Sequence, residues 1–218
     1  DRPKKSNMQK YQSSISLNSL FCSVDSKVIL SDINFNLISG QSITITGPNG
    51  VGKTLLLNTI VGFKSIYKGK ISINKINLSN DPTNRQEHIG YYGHKASLHT
   101  GITVMETIEY WKAYYSSDAN TSELIKFWDL PNKTVESCSE GQRKRLALVR
   151  LSLINRNIWI LDEPTTNLDF VGKKKFLELH TSHLRAGGLS IITSHEPAQV
   201  KGHKIINLER HSGKNLKC

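Results

Sequence analysis

The chain has 218 residues, a formal net charge of +11 and three cysteines, Cys22, Cys138 and Cys218. A chain of this length fits one domain and can bury an adequate core without disulfides or a structural metal. It contains no apolar run near the roughly 20 residues that span a bilayer, and no Cys-x-x-Cys pair. Composition thus argues against a membrane-spanning chain or a cysteine metal site, and it favours a reducing compartment.

The basic charge, with an isoelectric point near 9.6, would suit nucleic acid or an anionic membrane face. The lysines are scattered, however, apart from Lys173-Lys174-Lys175 and the last residues, and no aromatic-basic stacking motif accompanies them. We interpret the charge mainly as compositional bias, with membrane proximity second, and expect no nucleic-acid partner.

The two ends of the chain are expected to lie outside the core. Residues 1–14 carry no apolar signal segment and are predicted to be a flexible extension. Residues 15 to about 85 are predicted to be β-rich. A single domain is expected to close at residue 208, and residues 209–218 then form a basic tail.

A glycine-rich segment carries the first sign of chemistry. Residues 43–46 alternate apolar and polar side chains as a strand does, and residues 53–61 read as a helix closed by Gly62. Between them runs G-x-x-x-x-G-K-T, whose glycines let backbone N–H groups point at phosphate oxygens beside a helix N-terminus. The predicted nucleotide-binding residues of this loop are Gly47, Pro48, Asn49, Gly50, Val51, Gly52, Lys53 and Thr54. In this interpretation Lys53 reaches the β- and γ-phosphates, and the Thr54 hydroxyl binds Mg²⁺.

From about residue 86 to residue 140 the pattern becomes helical. Thr103 and Glu106 form a capping box that opens one of the helices. Its apolar face carries Val104, Ile108, Trp111 and Tyr115. Such a face is more often buried core than docking surface. We therefore predict a small helical subdomain inserted in an α/β core.

A pair of carboxylates follows the next predicted strand. Residues 158–161 form a continuous apolar run, which is typical of a strand buried on both faces of a parallel sheet. Asp162 at its end is predicted to hold Mg²⁺, and Glu163 to orient and deprotonate the attacking water. A plain polar turn is the structural alternative, which the phosphate loop in the same chain disfavours.

A histidine ends a further predicted strand. Residues 189–194 are strand-like, and they deliver His195 to the sheet edge that carries Asp162. A lone histidine is usually a surface or core residue, but this position favours a contact with the γ-phosphate. The predicted catalytic set is then Lys53, Glu163 and His195.

Several motifs in a fixed order resemble those of the ATP-binding-cassette (ABC) ATPases. They are the loop at 47–54, Ser139-Glu140-Gly141-Gln142, the pair Asp162-Glu163, Leu168-Asp169 and His195. The resemblance covers roughly residues 15–208, and the combination is highly specific. It implies a P-loop NTPase core of the α/β class, with a mixed β-sheet, flanking helices and a helical subdomain. The implied activity is hydrolysis of ATP with Mg²⁺.

The same resemblance implies a dimer of this chain. In the family two cassettes face each other head to tail, and each nucleotide lies between the P-loop of one copy and the signature of the other. The signature residues here are Ser139, Gly141 and Gln142, and Asp169 lies in the segment that crosses the interface. Ser139 and the Gly141 N–H lie at the start of a predicted helix, where anions bind.

Within the family, residues 90–98, 103–111 and 141–148 resemble the CcmA-type ATPase subunits of haem-export or cytochrome c maturation systems. This implies a subunit peripheral to a membrane and bound to a CcmB-like integral permease. The implied location is the cytoplasmic face of a bacterial inner membrane or the matrix face of the mitochondrial inner membrane. His94 and His99 are interpreted as ordinary loop residues, not as haem ligands.

Some positions depart from the family pattern. Cys138 and Glu140 stand where a leucine and a glycine are more usual, and the charge of Glu140 is expected to weaken ATP-driven closure. His94-Lys95 replaces a glutamine that usually contacts the metal. The ring that stacks on adenine is left open, since Phe21 is the nearest aromatic to the usual position near Val24.

Three alternatives stay open at this point. The first keeps the ATPase but changes the cargo to a lipid, a peptide or a metal. The second is a non-transport ABC protein that acts on nucleic acid or ribosomes. The third is a catalytically weak regulatory cassette, which Glu140 and Lys95 favour.

Overall fold

The structure, a computed structural model, describes residues 13–93, 98–194 and 203–212. His94, Lys95, His195 and Cys218 lie outside these ranges. The strands are β1 (Ser14–Val24), β2 (Lys27–Ile38), β3 (Ser42–Thr46), β4 (Lys68–Ile73), β5 (Ile76–Asn77), β6 (Ile89–Tyr92), β7 (Ile158–Asp162), β8 (Leu189–Thr193) and β9 (His203–Asn207). The helices are α1 (Lys53–Val61), α2 (Pro82–His88), α3 (Val104–Tyr115), α4 (Thr121–Trp128), α5 (Glu140–Leu153) and α6 (Phe170–Arg185).

The described strands pair in two sheets. One is antiparallel, with the order β2-β1-β4-β5, and the other has the order β6-β7-β8-β3-β9. All four pairings in the second sheet are parallel. The predicted α/β class is confirmed. One mixed β-sheet was expected. Within the described residues, the parallel and the antiparallel strand pairs form two separate sheets.

The parallel sheet brings the predicted functional segments to one edge. Strands β3, β7 and β8 are neighbours, and the carboxyl ends of parallel strands meet at the same edge, where ligands bind in open α/β sheets. The loop at 47–52 follows β3, and Glu163 follows β7. Asp162 pairs directly with Thr193 at the ends of β7 and β8.

Helix α1 covers the predicted range and ends as predicted. Leu56, Leu57 and Ile60 on its inner face are fully buried against the sheets. Gly62 follows in the left-handed conformation with φ of 101°, and its N–H donates to the carbonyl oxygen of Asn58. This is the usual glycine C-cap, and it fixes the length of the helix that follows the loop.

Helices α3, α4 and α5 pack around a second apolar cluster, which contains Trp128, Ile108 and Leu146, all fully buried. The capping box of Thr103 and Glu106 at the start of α3 is confirmed. Among the described residues, no helix is long and apolar enough to cross a bilayer.

One expectation about this region was wrong. Residues 89–92 were expected to be helical, but they form β6 at the edge of the parallel sheet, where Ile89 to Tyr92 pair with β7. Long-range pairing and burial of this apolar-aromatic segment outweigh its local pattern. The predicted boundaries at 15–208 and 86–140 stay predictions.

Candidate nucleotide-binding site

The loop between β3 and α1 is a compact turn. Gly47 has a φ of 146°, a conformation that favours glycine. A Cβ on Gly47 would lie 2.9 Å from Cγ1 of Val51, so a side chain does not fit there. The N–H of Val51 donates to the carbonyl oxygen of Pro48 at 3.3 Å. Pro48, Asn49 and Gly50 are exposed, which leaves the rim of the loop open to solvent at the N-terminus of α1.

Lys53 joins the loop to the carboxylates. Its side chain is only 6% exposed, although it carries a charge. Nζ donates to the carbonyl oxygen of Gly47 at 2.9 Å and lies 3.5 Å from Oε1 of Glu163. The structure therefore brings the predicted phosphate-binding lysine and the predicted general base into one ion pair at the sheet edge.

Asp162 receives a hydroxyl hydrogen bond on each carboxylate oxygen. Thr54 donates to Oδ2 at 2.8 Å, and Thr193 donates to Oδ1 at 2.7 Å. Asp162 is 1% exposed, whereas Thr54 is exposed. Hydroxyl and carboxylate oxygens are the ligands that Mg²⁺ prefers. Thr54 and Asp162 therefore fit a magnesium ion bound together with a nucleotide.

Glu163 adopts an unusual backbone conformation. Its φ of 49° lies in the left-handed region, which is uncommon for residues other than glycine and clusters at functional sites. The N–H of Glu163 donates to Oγ1 of Thr193 at 2.8 Å, and Thr166 donates to Oε2 of Glu163 at 3.3 Å. These contacts hold the Glu163 carboxylate beside Lys53.

Sequence reasoning missed Thr166 and Thr193. Both are threonines in segments that the sequence did associate with the site, the turn after Glu163 and the strand before His195. For Thr193 the available signal was a polar residue at the end of a largely apolar strand. The predicted position of His195 itself lies outside the described residues.

The signature residues form a second group with its own contacts. Ser139 is the N-cap of α5 and forms a capping box with Gln142: the Ser139 N–H donates to Oε1 at 2.9 Å, and the Gln142 N–H donates to Oγ at 3.2 Å. Gly141 packs against Asp169, which caps α6 by accepting a hydrogen bond from the N–H of Gly172 at 2.7 Å. The residues predicted to face a partner's nucleotide thus lie together in one chain.

Tyr91 and Phe21 each have a defined contact partner. The phenol of Tyr91 donates to Oδ1 of Asn58 at 3.2 Å, and burial, with the nearby charge of Asp162, raises its pKa to about 12. Tyr91 therefore stays neutral beside the carboxylate. The ring of Phe21 lies 5.4 Å from Nζ of Lys68.

These features define a P-loop nucleotide-hydrolysing protein: a phosphate loop before a helix, and an Asp-Glu pair at a neighbouring strand end. The sequence profile of the ABC transporter family matches residues 30–166, more than half of the chain. The chain belongs to the ABC transporter family, as an ATP-hydrolysing cassette subunit close to CcmA.

Individual relatives agree with this assignment. The cytochrome c biogenesis ATP-binding export protein CcmA of Histophilus somni is 34% identical over 206 residues, which cover 90% of this chain and 94% of that protein. The solved structure of an ABC transporter ATP-binding protein from Pyrococcus furiosus superposes with a TM-score of 0.79. It is 25% identical and covers 91% of this chain and 99% of its own.

A further solved structure, a dimeric ATP-binding cassette in a post-hydrolysis state with ADP and phosphate, has a TM-score of 0.68. It is 22% identical and covers 84% of this chain and 88% of its own. At this identity the likeness shows the fold alone.

Proposed function

We propose that this chain hydrolyses ATP to drive haem export for cytochrome c maturation. The observation that carries the proposal is the convergence of four predicted residues at one sheet edge. Thr54 bonds Asp162 at 2.8 Å, and Lys53 lies 3.5 Å from Glu163. The similarity to a cytochrome c biogenesis export protein over 90% of the chain supports the transport system.

Each residue of this edge has a proposed role. Lys53 and the N–H groups of the loop bind phosphate oxygens, helped by the positive end of α1. Thr54 and Asp162 hold Mg²⁺, which when bound neutralises charge on the phosphate oxygens. Glu163 orients a water molecule and accepts its proton. For His195, which lies outside the described residues, a contact with the γ-phosphate is proposed from its place in the sequence.

The second group of residues serves a partner copy in this proposal. Ser139, Gly141 and Gln142 at the N-terminus of α5 contact the γ-phosphate of the nucleotide held by the other copy, since a helix N-terminus binds anions. Asp169 lies beside them at the interface. A cassette of the same fold has been solved as a dimer, and the head-to-tail arrangement proposed for this chain is the one that its resemblance to the family implies.

The membrane partner is proposed to be a CcmB-like permease. The relative from Histophilus somni is named an export protein of cytochrome c biogenesis. It is bacterial, which favours the cytoplasmic face of a bacterial inner membrane over the mitochondrial matrix face. ATP binding then closes the dimer, and release of phosphate reopens it.

Phosphate release from MgATP by the purified chain tests the chemistry. We expect Glu163→Gln to lose roughly 100-fold or more in turnover, the usual contribution of a general base. Glu178→Gln is a matched control, because Glu178 lies on the exposed face of α6 in a 3.8 Å ion pair with Lys175. Turnover that survives Glu163→Gln would contradict the proposed base.

The transport assignment needs a separate experiment. We expect the tagged chain to co-purify from membranes with a CcmB-like permease. We also expect haem to stimulate the ATPase activity of the purified complex. Recovery of a lipid, peptide or metal exporter instead would favour the cargo alternative. Stimulation by DNA or RNA, without any permease, would favour the non-transport alternative.

A further inference from the structure

One buried hydroxyl links the two carboxylate residues of the site. Thr193 is the last residue of β8, is fully buried and lies directly opposite Asp162 in the parallel register. Its Oγ1 donates to Oδ1 of Asp162 at 2.7 Å and accepts from the N–H of Glu163 at 2.8 Å. A hydroxyl is a donor and an acceptor at once, so a single atom makes both bonds.

The two bonds constrain different parts of the site. The bond to Oδ1 fixes the rotation of the Asp162 carboxylate and leaves Oδ2 to Thr54, on the side proposed to bind Mg²⁺. The bond from the Glu163 N–H holds the backbone of that residue at its φ of 49°, away from the usual conformations. The direction in which the Glu163 carboxylate leaves the strand depends on that backbone.

We propose that Thr193 is a positioning residue, whose hydroxyl sets the orientation of the metal-binding carboxylate relative to the general base. This inference rests on the proposed function of Asp162 and Glu163. Thr193 itself contacts neither nucleotide nor water in the proposal. It acts through its two neighbours, as hydrogen-bond partners of metal ligands commonly do.

The chain supplies a matched control on the next strand of the same sheet. Thr44 of β3 is also fully buried, and its hydroxyl has no hydrogen-bond partner among the residues that the structure describes. Thr44→Val and Thr193→Val make the same chemical change at similar burial. The two variants differ in whether the lost hydroxyl made hydrogen bonds.

The first measurement is steady-state ATP turnover. We expect Thr193→Val to lower kcat by roughly 10- to 100-fold, the range seen when the partner of a metal ligand is removed. Thr193→Ser, which keeps the hydroxyl, is expected to restore most of that loss. Thr44→Val is expected to stay within about twofold of the wild type, since no hydrogen bond is removed.

The second measurement does not depend on turnover. Binding of a fluorescent ADP analogue is followed as Mg²⁺ is added. We expect Thr193→Val to raise the Mg²⁺ concentration for half-maximal binding by roughly 10-fold or more. Binding of the analogue without Mg²⁺ is expected to be unchanged, because the loop residues that hold phosphate are not altered.

Several outcomes would overturn the assignment. A Thr193→Val protein with wild-type kcat and Mg²⁺ dependence shows that the hydroxyl has no positioning role. Thr193→Ser removes the methyl group and keeps the hydroxyl, so equal losses in Thr193→Val and Thr193→Ser show that any change of packing at this position lowers turnover, with or without the hydroxyl. Thr193→Ala replaces Thr193→Val if the latter does not fold, and failure of both to fold assigns the hydroxyl to folding. A wild-type chain without ATPase activity refutes the proposed function itself, a result that is recognisable before any variant is made.

Discussion

Asp169 packs directly against the backbone of Gly141. A Cβ on Gly141 would lie 2.8 Å from Oδ2 and 3.2 Å from Cγ of Asp169. The other carboxylate oxygen accepts a hydrogen bond from the N–H of Gly172 at 2.7 Å and caps α6. Since the carboxylate is held on one side by the cap, it cannot retreat from a larger residue at 141 without weakening that cap.

We expect Gly141→Ala to destabilise the protein by about 1–3 kcal/mol, the range for an overpacked contact. ATP turnover should also fall, because the proposed interface residues shift. Thermal unfolding and phosphate release measure the two effects. Asp169→Ser keeps a capping oxygen on a shorter side chain, so Gly141→Ala should destabilise that variant less than the wild type. Equal destabilisation in both backgrounds would mean that the contact does not matter.

Arg145 connects Asp169 to the helical region through an ion pair and hydrogen bonds. Its side chain, 7% exposed, has Nε 3.5 Å from Oδ2 of Asp169. Nη1 donates to the carbonyl oxygens of Trp128 and Asp129 at 3.0 and 2.7 Å, and to Oδ2 of Asp129 at 2.8 Å. One guanidinium therefore joins the end of α4 to the start of α6.

Replacing this guanidinium by an apolar side chain should be costly. We expect Arg145→Met to destabilise the fold by roughly 2–4 kcal/mol, because an acceptor left unsatisfied in a buried place costs about 1–3 kcal/mol. Urea unfolding measures the change. Arg185→Met, on an exposed arginine at the end of α6, is the control and should change stability by less than about 0.5 kcal/mol. Similar effects of the two variants would argue against the bridging role.

Much of the site follows from signals that are local in the chain. The strand-loop-helix order around 47–54, the glycine that ends α1 and the capping box before α3 depend on residues a few positions apart. The apolar run before Asp162 is fully buried on β7, as predicted. Such features are encoded in backbone preferences and periodicity, which a sequence displays directly.

The features that sequence reasoning missed depend on distant residues. Strand β6 forms because residues 89–92 pair with β7, some 70 positions later in the chain. The local sequence of the segment does not indicate that pairing. The two hydrogen bonds of Thr193 depend on the register of β8 against β7. In the sequence, Arg145 is one of several cations on a basic helix, and its ion pairs with Asp129 and Asp169 appear only in the folded chain. Only the assembled sheet and helices create these contacts.

The start of α3 allows a test of one local signal. Oγ1 of Thr103 accepts a hydrogen bond from the N–H of Glu106 at 3.1 Å, and the Thr103 N–H donates to Oε2 of Glu106 at 2.7 Å. We expect Thr103→Ala to destabilise the fold by about 1 kcal/mol, as for other N-cap threonines. The midpoint of urea unfolding measures the loss. Thr100→Ala, at an exposed position three residues earlier, should leave that midpoint unchanged.

Two histidines between α6 and the parallel sheet, the fully buried His180 and the half-buried His183, should make the fold sensitive to acid. Nε2 of His180 lies 2.7 Å from Oγ of Ser190, and the ring of His183 stacks on Trp159 with centroids 3.7 Å apart. Burial lowers the pKa of each from 6.5 to about 4, and for His180 the charges of His183 and His203 add to the effect.

The sign of the pH dependence follows from these values. Between pH 6.5 and 4 the unfolded chain binds protons at these positions that the folded chain does not bind. Stability is therefore full above about pH 6.5 and falls as the pH drops toward 4, by at most about 1.4 kcal/mol per pH unit for each histidine. Urea unfolding at pH 7, 6 and 5 measures the slope. His180→Gln should reduce it and His99→Gln, at an exposed position, should not. A stability that is constant or rises from pH 7 to pH 5 would show that these two rings accept protons as readily in the folded chain as in the unfolded one.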